Sequence, residues 1–250
     1  MMKAILTGMN GTVAPVVAET LTRHGIEPVA WDRTKVSTTD EAEMRRFIES
    51  VRPNYFLHIG MGAVEWADTL ARLCGEYKIP FLFTSTVSVF SDNVTGPITP
   101  DMPPDATDEY GAYKRACEET IARTNPGAQI VRLGWQIGHR AGSNNMMDYF
   151  ENEMKRHGVI VASAHWYPSC SFLEDTADAL FEILTKRGPG LYQLNGNSSH
   201  SLYDIAMALK ESHDTSWQIE QTDEPKRDNR MVDTNITIQP ITKRLALHTK

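Results

Sequence analysis

The chain has 250 residues, 41% of them hydrophobic and 23% charged, which suits one large α/β domain with a substantial core. Its formal net charge of −7 argues against a general nucleic-acid binder. The three cysteines, Cys74, Cys117 and Cys170, form no CxxC pair, so neither a zinc knuckle nor a disulfide framework is expected, and no apolar run is long enough to span a bilayer. The opening MMKAILTG lacks signal-peptide architecture, and with the cysteine usage it points to a cytoplasmic setting. None of the eight histidines shows HxxxH or HExxH spacing, so no metal site is expected.

Short apolar runs alternate with helical stretches. KAILTG reads as a buried strand, followed by a helix from about Gly11 to His24. EPVAWD is a second strand. TDEAEMRRFIESV reads as an amphipathic helix capped by Thr39. NYFLHIG is a third strand, AVEWADTLARLCGEY a helix, and IPFLFTST a fourth strand. The Pro-rich loop GPITPDMPPDATD leads into a helix that opens with DEYGAYKRACEE, and the strand AQIVRL follows. Such alternation predicts a parallel, doubly wound α/β sheet of the Rossmann type.

Beyond Gly134 the pattern loosens. A polar loop GHRAGSNN precedes the helix MMDYFENEMKRH and the short strand GVIVAS. AHWYPSC reads as a loop, FLEDTADALFEIL as a helix, GLYQLNG as a strand and SLYDIAMALK as a helix, while the last thirty or so residues suggest no element. The expected layout is a single unit. A cofactor-binding core spans about 1–134 plus parts of the C-terminal half. A smaller substrate-binding part, from about 135–250, shares a cleft with it.

The first strand ends in TGMNGTVA, with Gly8 and Gly11 at a strand-to-helix turn. Glycines there allow a tight turn and close backbone approach, and the helix N-terminus offers free N–H groups to a pyrophosphate. Asp32 ends the second strand, where a carboxylate can bond an adenosine ribose hydroxyl and favour NAD. Arg33 follows, and an arginine there can pair with a 2′-phosphate and favour NADP; either residue also reads as a solvated charge.

Tyr110 and Lys114 stand four residues apart, on one face of their helix. An ammonium group beside a phenol lowers the phenol's pKa, and such a phenol can hand a proton to a carbonyl oxygen as hydride arrives at carbon. The C-terminal end of the fourth strand supplies hydroxyls at Ser85, Thr86 and Ser88, where ligands of open sheets bind. The order gives the pattern its weight: glycine loop, acidic strand end, hydroxyl-bearing strand end, then YxxxK on the next helix. The bland alternative for Tyr110 and Lys114 is a surface cation–aromatic pair.

In this order the sequence resembles the extended short-chain dehydrogenase/reductases, and within them the dTDP-4-dehydrorhamnose reductase branch. TGMNGTVA resembles the branch's cofactor loop, TSTVSVFSD its active-site strand and YGAYKRACEE its YGxSKxxGE string. VRLGWQIG, HWYPSCSFLEDTADAL and PGLYQLNGNSSHSLYDIA resemble later motifs in the same order. The resemblance implies Thr86 as the hydroxyl that holds a substrate oxygen, Tyr110 as the acid/base and Lys114 as its partner and a ribose contact. It implies Gly8, Asn10, Gly11, Thr12 and Val13 along the pyrophosphate, Asp32 and Arg33 at the adenosine, and His58, Ile59 and Gly60 along the cofactor. Trp135 falls at a substrate-contacting tryptophan of the branch, and Ser85, Asn144 and Trp166 complete the expected substrate contacts. For the cluster His165, Trp166 and Tyr167, an aromatic plug is the alternative.

The departures are Val87 in place of Asp, His58 in place of Asn, Gly134 in place of Ser, and Ser169 and Cys170 in a turn that is usually Gly-Ser-Pro. The implied function is reduction of a keto group on a nucleotide-linked sugar, with NADP or NAD as cofactor. Alternatives are a nucleotide-sugar epimerase, or a non-catalytic NAD(P)-binding subunit like the regulatory subunit of methionine adenosyltransferase. The implied partner is a small molecule, and the resemblance allows a homodimer. With Val87 and Ser88 after the Thr, no acid stands there to drive a dehydratase elimination.

Overall fold

The computed structural model describes residues 1–139 and 144–247. In chain order the elements are β1 (Met2–Leu6), α1 (Ala14–Arg23), β2 (Ile26–Ala30), α2 (Glu41–Val51), β3 (Tyr55–His58), α3 (Val64–Glu76), β4 (Phe81–Thr86), α4 (Glu109–Thr124) and β5 (Gln129–Leu133). The second half adds β6 (Trp135–Ile137), α5 (Met146–His157), β7 (Ile160–Ser163), β8 (Trp166–Tyr167), β9 (Cys170–Phe172), α6 (Leu173–Lys186), β10 (Gly190–Leu194), α7 (Leu202–Ser212), β11 (Ile219–Thr222) and β12 (Arg227–Asp228).

Six strands form one sheet in the order β10-β5-β4-β3-β1-β2, and every neighbouring pair is parallel. The doubly wound expectation holds. Parallel strands are buried on both faces, and the alternation of side chains sorts them into two layers. Ala4, Leu6, Leu57, Leu82, Val131 and Leu133 pack against α1 and α6. Ile5, Phe56, Phe81, Phe83 and Ile130 pack against α2, α3 and α4. The strand order reverses between β1 and β3, and that reversal opens a crevice beyond the strands' C-terminal ends.

The C-terminal half is woven into this core. β10 joins the sheet edge at β5, and α6 packs against α1. A second cluster gathers Ile137, Phe150, Ile160, Phe172, Leu209 and Trp217 under α5 and α7. The strands β6 with β9, β7 with β11 and β8 with β12 form three small parallel pairs. The polar tail also straps the Pro-rich loop: Gly96 N–H donates to Asp228 O (2.6 Å) and Ile98 N–H to Arg230 O (2.7 Å).

Two local readings need correction. The cap of α2 is Asp40, whose side chain accepts from Glu43 N–H, and not Thr39. AHWYPSC is not a plain loop, since its middle forms β8 and its last residue, Cys170, opens β9. The polar loop expected over 138–145 falls largely on 140–143, outside the described residues.

Candidate active site

The glycine loop lies at the strand-order reversal. Gly8 has φ +84°, and a Cβ on it would meet Gly60 Cα and N at 2.8 Å. Only glycine at both positions lets the ends of β1 and β3 approach this closely. Gly11 N–H donates to Gly8 O (2.8 Å), which closes the turn. Asn10 and Gly11 are exposed, and Thr12 and Val13 half-buried. Val13 precedes α1 without a side-chain cap, and a proline opens the helix. The first-turn N–H groups of α1 therefore point at the crevice with no side chain of their own to satisfy them, a ready anion site.

Asp32 and Arg33 have separate partners. The Asp32 carboxylate accepts from Thr34 N–H (2.9 Å) and Thr34 Oγ1 (2.6 Å) and pairs with Lys35 (3.0 Å). These bonds, led by the Thr34 hydroxyl, hold its pKa down to about 2. Arg33 reaches over the end of β3. Its guanidinium lies 4.8 Å above the Trp66 ring and donates to Met61 O. His58 is fully buried below, and Ile59 and Gly60 donate their N–H groups to Thr7 Oγ1.

Thr86 ends β4, and α4 brings Tyr110 to it. Asp108 caps α4 by accepting from Gly111 N–H (3.0 Å). A Cβ on Gly111 would meet Ser88 O at 2.2 Å, so this glycine lets the first turn of α4 lie against the chain that follows Thr86. The Tyr110 phenol stands near the Thr86 side chain. Tyr110 keeps 41% of its surface exposed at the crevice mouth, yet desolvation raises its pKa, and the nearby Thr86 hydroxyl only partly offsets this.

Lys114 is 3% exposed. Its ammonium donates to Thr84 O (2.8 Å) and lies 4.7 Å from the centre of the Phe83 ring. Burial pushes its pKa down to about 8, against the opposing pull of the Glu118 carboxylate. The expected lowering of the phenol by this ammonium does not occur. The lysine turns to a β4 carbonyl, and burial dominates at Tyr110. Ser85 shares the strand face of Phe81 and Phe83, is 4% exposed, and its hydroxyl has no protein partner.

The register pairs Thr86 with Leu133, so Trp135 lies just beyond, at the same end of the sheet. It stacks on Trp166 (6.0 Å, 22°) and meets Tyr149 edge-on (5.2 Å). Asn229 Oδ1 accepts from Trp166 Nε1 and Ser169 N–H, both at 3.3 Å. Asn144, with φ +56°, lies at the other side of the undescribed segment and bonds Asp148. Gly134 is required by its neighbour: a Cβ there would meet Ser169 O at 2.6 Å.

Sequence reasoning missed Tyr149, Asn229 and the pair Glu118–Arg132. That pair is buried and two-pronged (3.0 and 2.8 Å) and ties α4 to β5. The EE of the YGAYKRACEE string and the arginine of VRLG were its only trace.

A family model, the RmlD substrate binding domain, matches residues 62–244. The chain belongs to this family. Two curated relatives are each 25% identical to it. One is the probable low-salt glycan biosynthesis reductase Agl14 of Haloferax volcanii, over 59% of this chain and 58% of that protein. The other is the dTDP-4-dehydrorhamnose reductase of Mycolicibacterium smegmatis, over 84% of this chain and 69% of that protein. The chain therefore spans 58% and 69% of the length of these relatives. Among solved structures, the dTDP-4-dehydrorhamnose reductase of Bacillus anthracis in complex with NADP superposes with a TM-score of 0.82 at 17% identity, over 97% of this chain and 96% of that one. The RmlD-family resemblance read from the motifs is borne out, and so is the fold.

Proposed function

We propose that this RmlD-family chain is an NAD(P)-dependent reductase of a keto group on a sugar, with a nucleotide-linked sugar as substrate. One observation carries the reading: Thr86, Tyr110 and Lys114 gather at the end of β4, beside an uncapped helix N-terminus at the strand-order reversal. The residues present fit a dinucleotide. The loop from Gly8 to Val13 and the N-terminus of α1 would hold the pyrophosphate. Asp32 is engaged by Thr34 and Lys35, and Arg33 by Met61 O and the Trp66 ring. With an acid and a base side by side at the end of β2, the chain would accept both NADP and NAD. When bound, the reduced nicotinamide supplies the hydride.

The chain's own residues do the rest. Thr86 and Tyr110 hold the carbonyl oxygen, and Tyr110 donates its proton to that oxygen as the alcohol forms. A raised pKa keeps the phenol protonated at neutral pH, so the acid is ready before substrate arrives. Lys114 has N–H groups beyond the one given to Thr84 O, and these would orient the nicotinamide ribose. Trp135, Tyr149 and Trp166 form an aromatic wall for a sugar or a base. The relatives named as reductases support the same chemistry. Among the described residues no helix is long and apolar enough to cross a membrane, which accords with a cytoplasmic setting.

Tyr110→Phe keeps the ring and removes the acid. Calorimetry should show unchanged NADPH affinity, and turnover should fall by roughly two to four powers of ten. A variant that keeps full turnover on a keto-sugar nucleotide would remove Tyr110 from the reaction. A wild type silent across a broad panel of such substrates would favour the binding-subunit alternative.

A further inference from the structure

Thr7 is buried at the point where β1 and β3 part. Its hydroxyl oxygen accepts from Ile59 N–H (2.9 Å) and Gly60 N–H (2.8 Å) and lies 2.9 Å from His58 Nδ1. A threonine hydroxyl has one proton and two lone pairs. Both lone pairs are taken by backbone amides, so the proton goes to His58 Nδ1. That assignment leaves Nδ1 as a bare acceptor and places the ring hydrogen on Nε2. We propose that His58 is a positioning residue of the cofactor crevice: by accepting the Thr7 proton it turns both hydroxyl lone pairs onto the Ile59 and Gly60 amides and holds the end of β3 against Gly8.

The surroundings agree. Gly8 and Gly60 are in backbone contact so close that neither position has room for a Cβ. The staple therefore sets the floor on which a pyrophosphate would lie. The His58 ring is fully buried and meets Trp66 edge-on at 4.7 Å, with Phe83 at 5.6 Å. Nε2 has no polar partner and Trp66 lies against the ring. Burial, then the charges of Lys114 and Arg33, keeps the ring neutral, with its pKa held down to about 3. An asparagine at this position would place Oδ1 the same number of bonds from Cα as His Nδ1, so it could accept the same proton. A phenylalanine keeps the ring and loses the acceptor.

The link to the cofactor rests on the function proposed above; the tautomer does not. Nitrogen-15 NMR of the full chain labelled at histidine tests the tautomer directly. The expected result is a neutral Nε2–H ring for His58 that persists well below the ordinary histidine pKa of about 6.5. An Nδ1–H ring, or protonation near that value, would overturn the assignment. NADPH affinity by calorimetry tests the positioning role. His58→Asn should bind about as the wild type does. His58→Phe should weaken binding about tenfold, the scale of one lost buried hydrogen bond. Thr7→Val loses all three bonds of the hydroxyl and should weaken it further, and the double variant should be no weaker than Thr7→Val, because the bond lost in His58→Phe is one of those three. Unchanged affinity in His58→Phe, or additive losses, would overturn the role. A wild type with the assigned tautomer that binds neither NADPH nor NADH would overturn the cofactor link alone.

Discussion

Lys114 is a cation where the protein disfavours one. Its pKa falls from 10.5 to about 8 because burial penalises the charged form. The sign follows: above about 10.5 the lysine is neutral in both folded and unfolded chains and costs nothing. As pH falls toward about 8 the cost grows, and at neutral pH it is fully present, on the order of 3 kcal/mol. Lys114→Met removes that cost and gives up the bond to Thr84 O, worth about 1 kcal/mol. The ligand-free variant should therefore melt roughly 4 °C higher while losing turnover. A lower melting temperature would mean that the ammonium stabilises the fold and is not held there for a ligand. The sequence displayed this residue and Tyr110 through their spacing. It did not display that Lys114 turns to β4, because that depends on how deeply α4 sinks against the sheet. Thr7 and Asn229 were also illegible, since their partners lie 51 to 63 residues away.

At the scale of elements, the site depends on how α4 meets β4. Gly111 allows the contact, because a Cβ would strike Ser88 O at 2.2 Å and the Ala106 Cβ at 2.6 Å. The first obstacle is backbone and cannot rotate away. Gly111→Ala should cost about 1–3 kcal/mol through overpacking. It should also lower turnover at least about tenfold by moving Tyr110 off Thr86, by the usual sensitivity of catalysis to small misplacements. Chemical denaturation and steady-state rates check both, and an alanine variant with normal stability and rate would contradict the close contact. The long elements were legible because 10 to 16 residues carry enough periodicity to declare a helix. The strands β6, β8, β9 and β12 were not. They hold two or three residues each, and their pairing comes from distant segments rather than local pattern.

For the whole molecule, alternation of strands and helices carried the fold, and the polar tail carried almost no signal. That tail nonetheless pairs β12 with β8 and straps the loop after Thr86. Global stability should register the buried neutral His58. Its folded pKa of about 3 lies below the ordinary 6.5, so the unfolded chain binds the extra proton between these values. Stability is full above about pH 6.5 and declines toward pH 3, by up to about 1.4 kcal/mol per pH unit from this group. Urea unfolding of wild type and His58→Asn across that range should give a flatter profile for the variant, and parallel profiles would contradict the burial. The central claim is net hydride delivery to a keto sugar with Tyr110 as the acid. It is tested most directly by supplying NADPH deuterated at nicotinamide C4 with a keto-sugar nucleotide and examining the product by mass spectrometry and NMR. NADPH consumption is expected, with deuterium on the new carbinol carbon, and near loss of both in Tyr110→Phe. Product formed without NADPH consumption and without deuterium would contradict it and point to an epimerase.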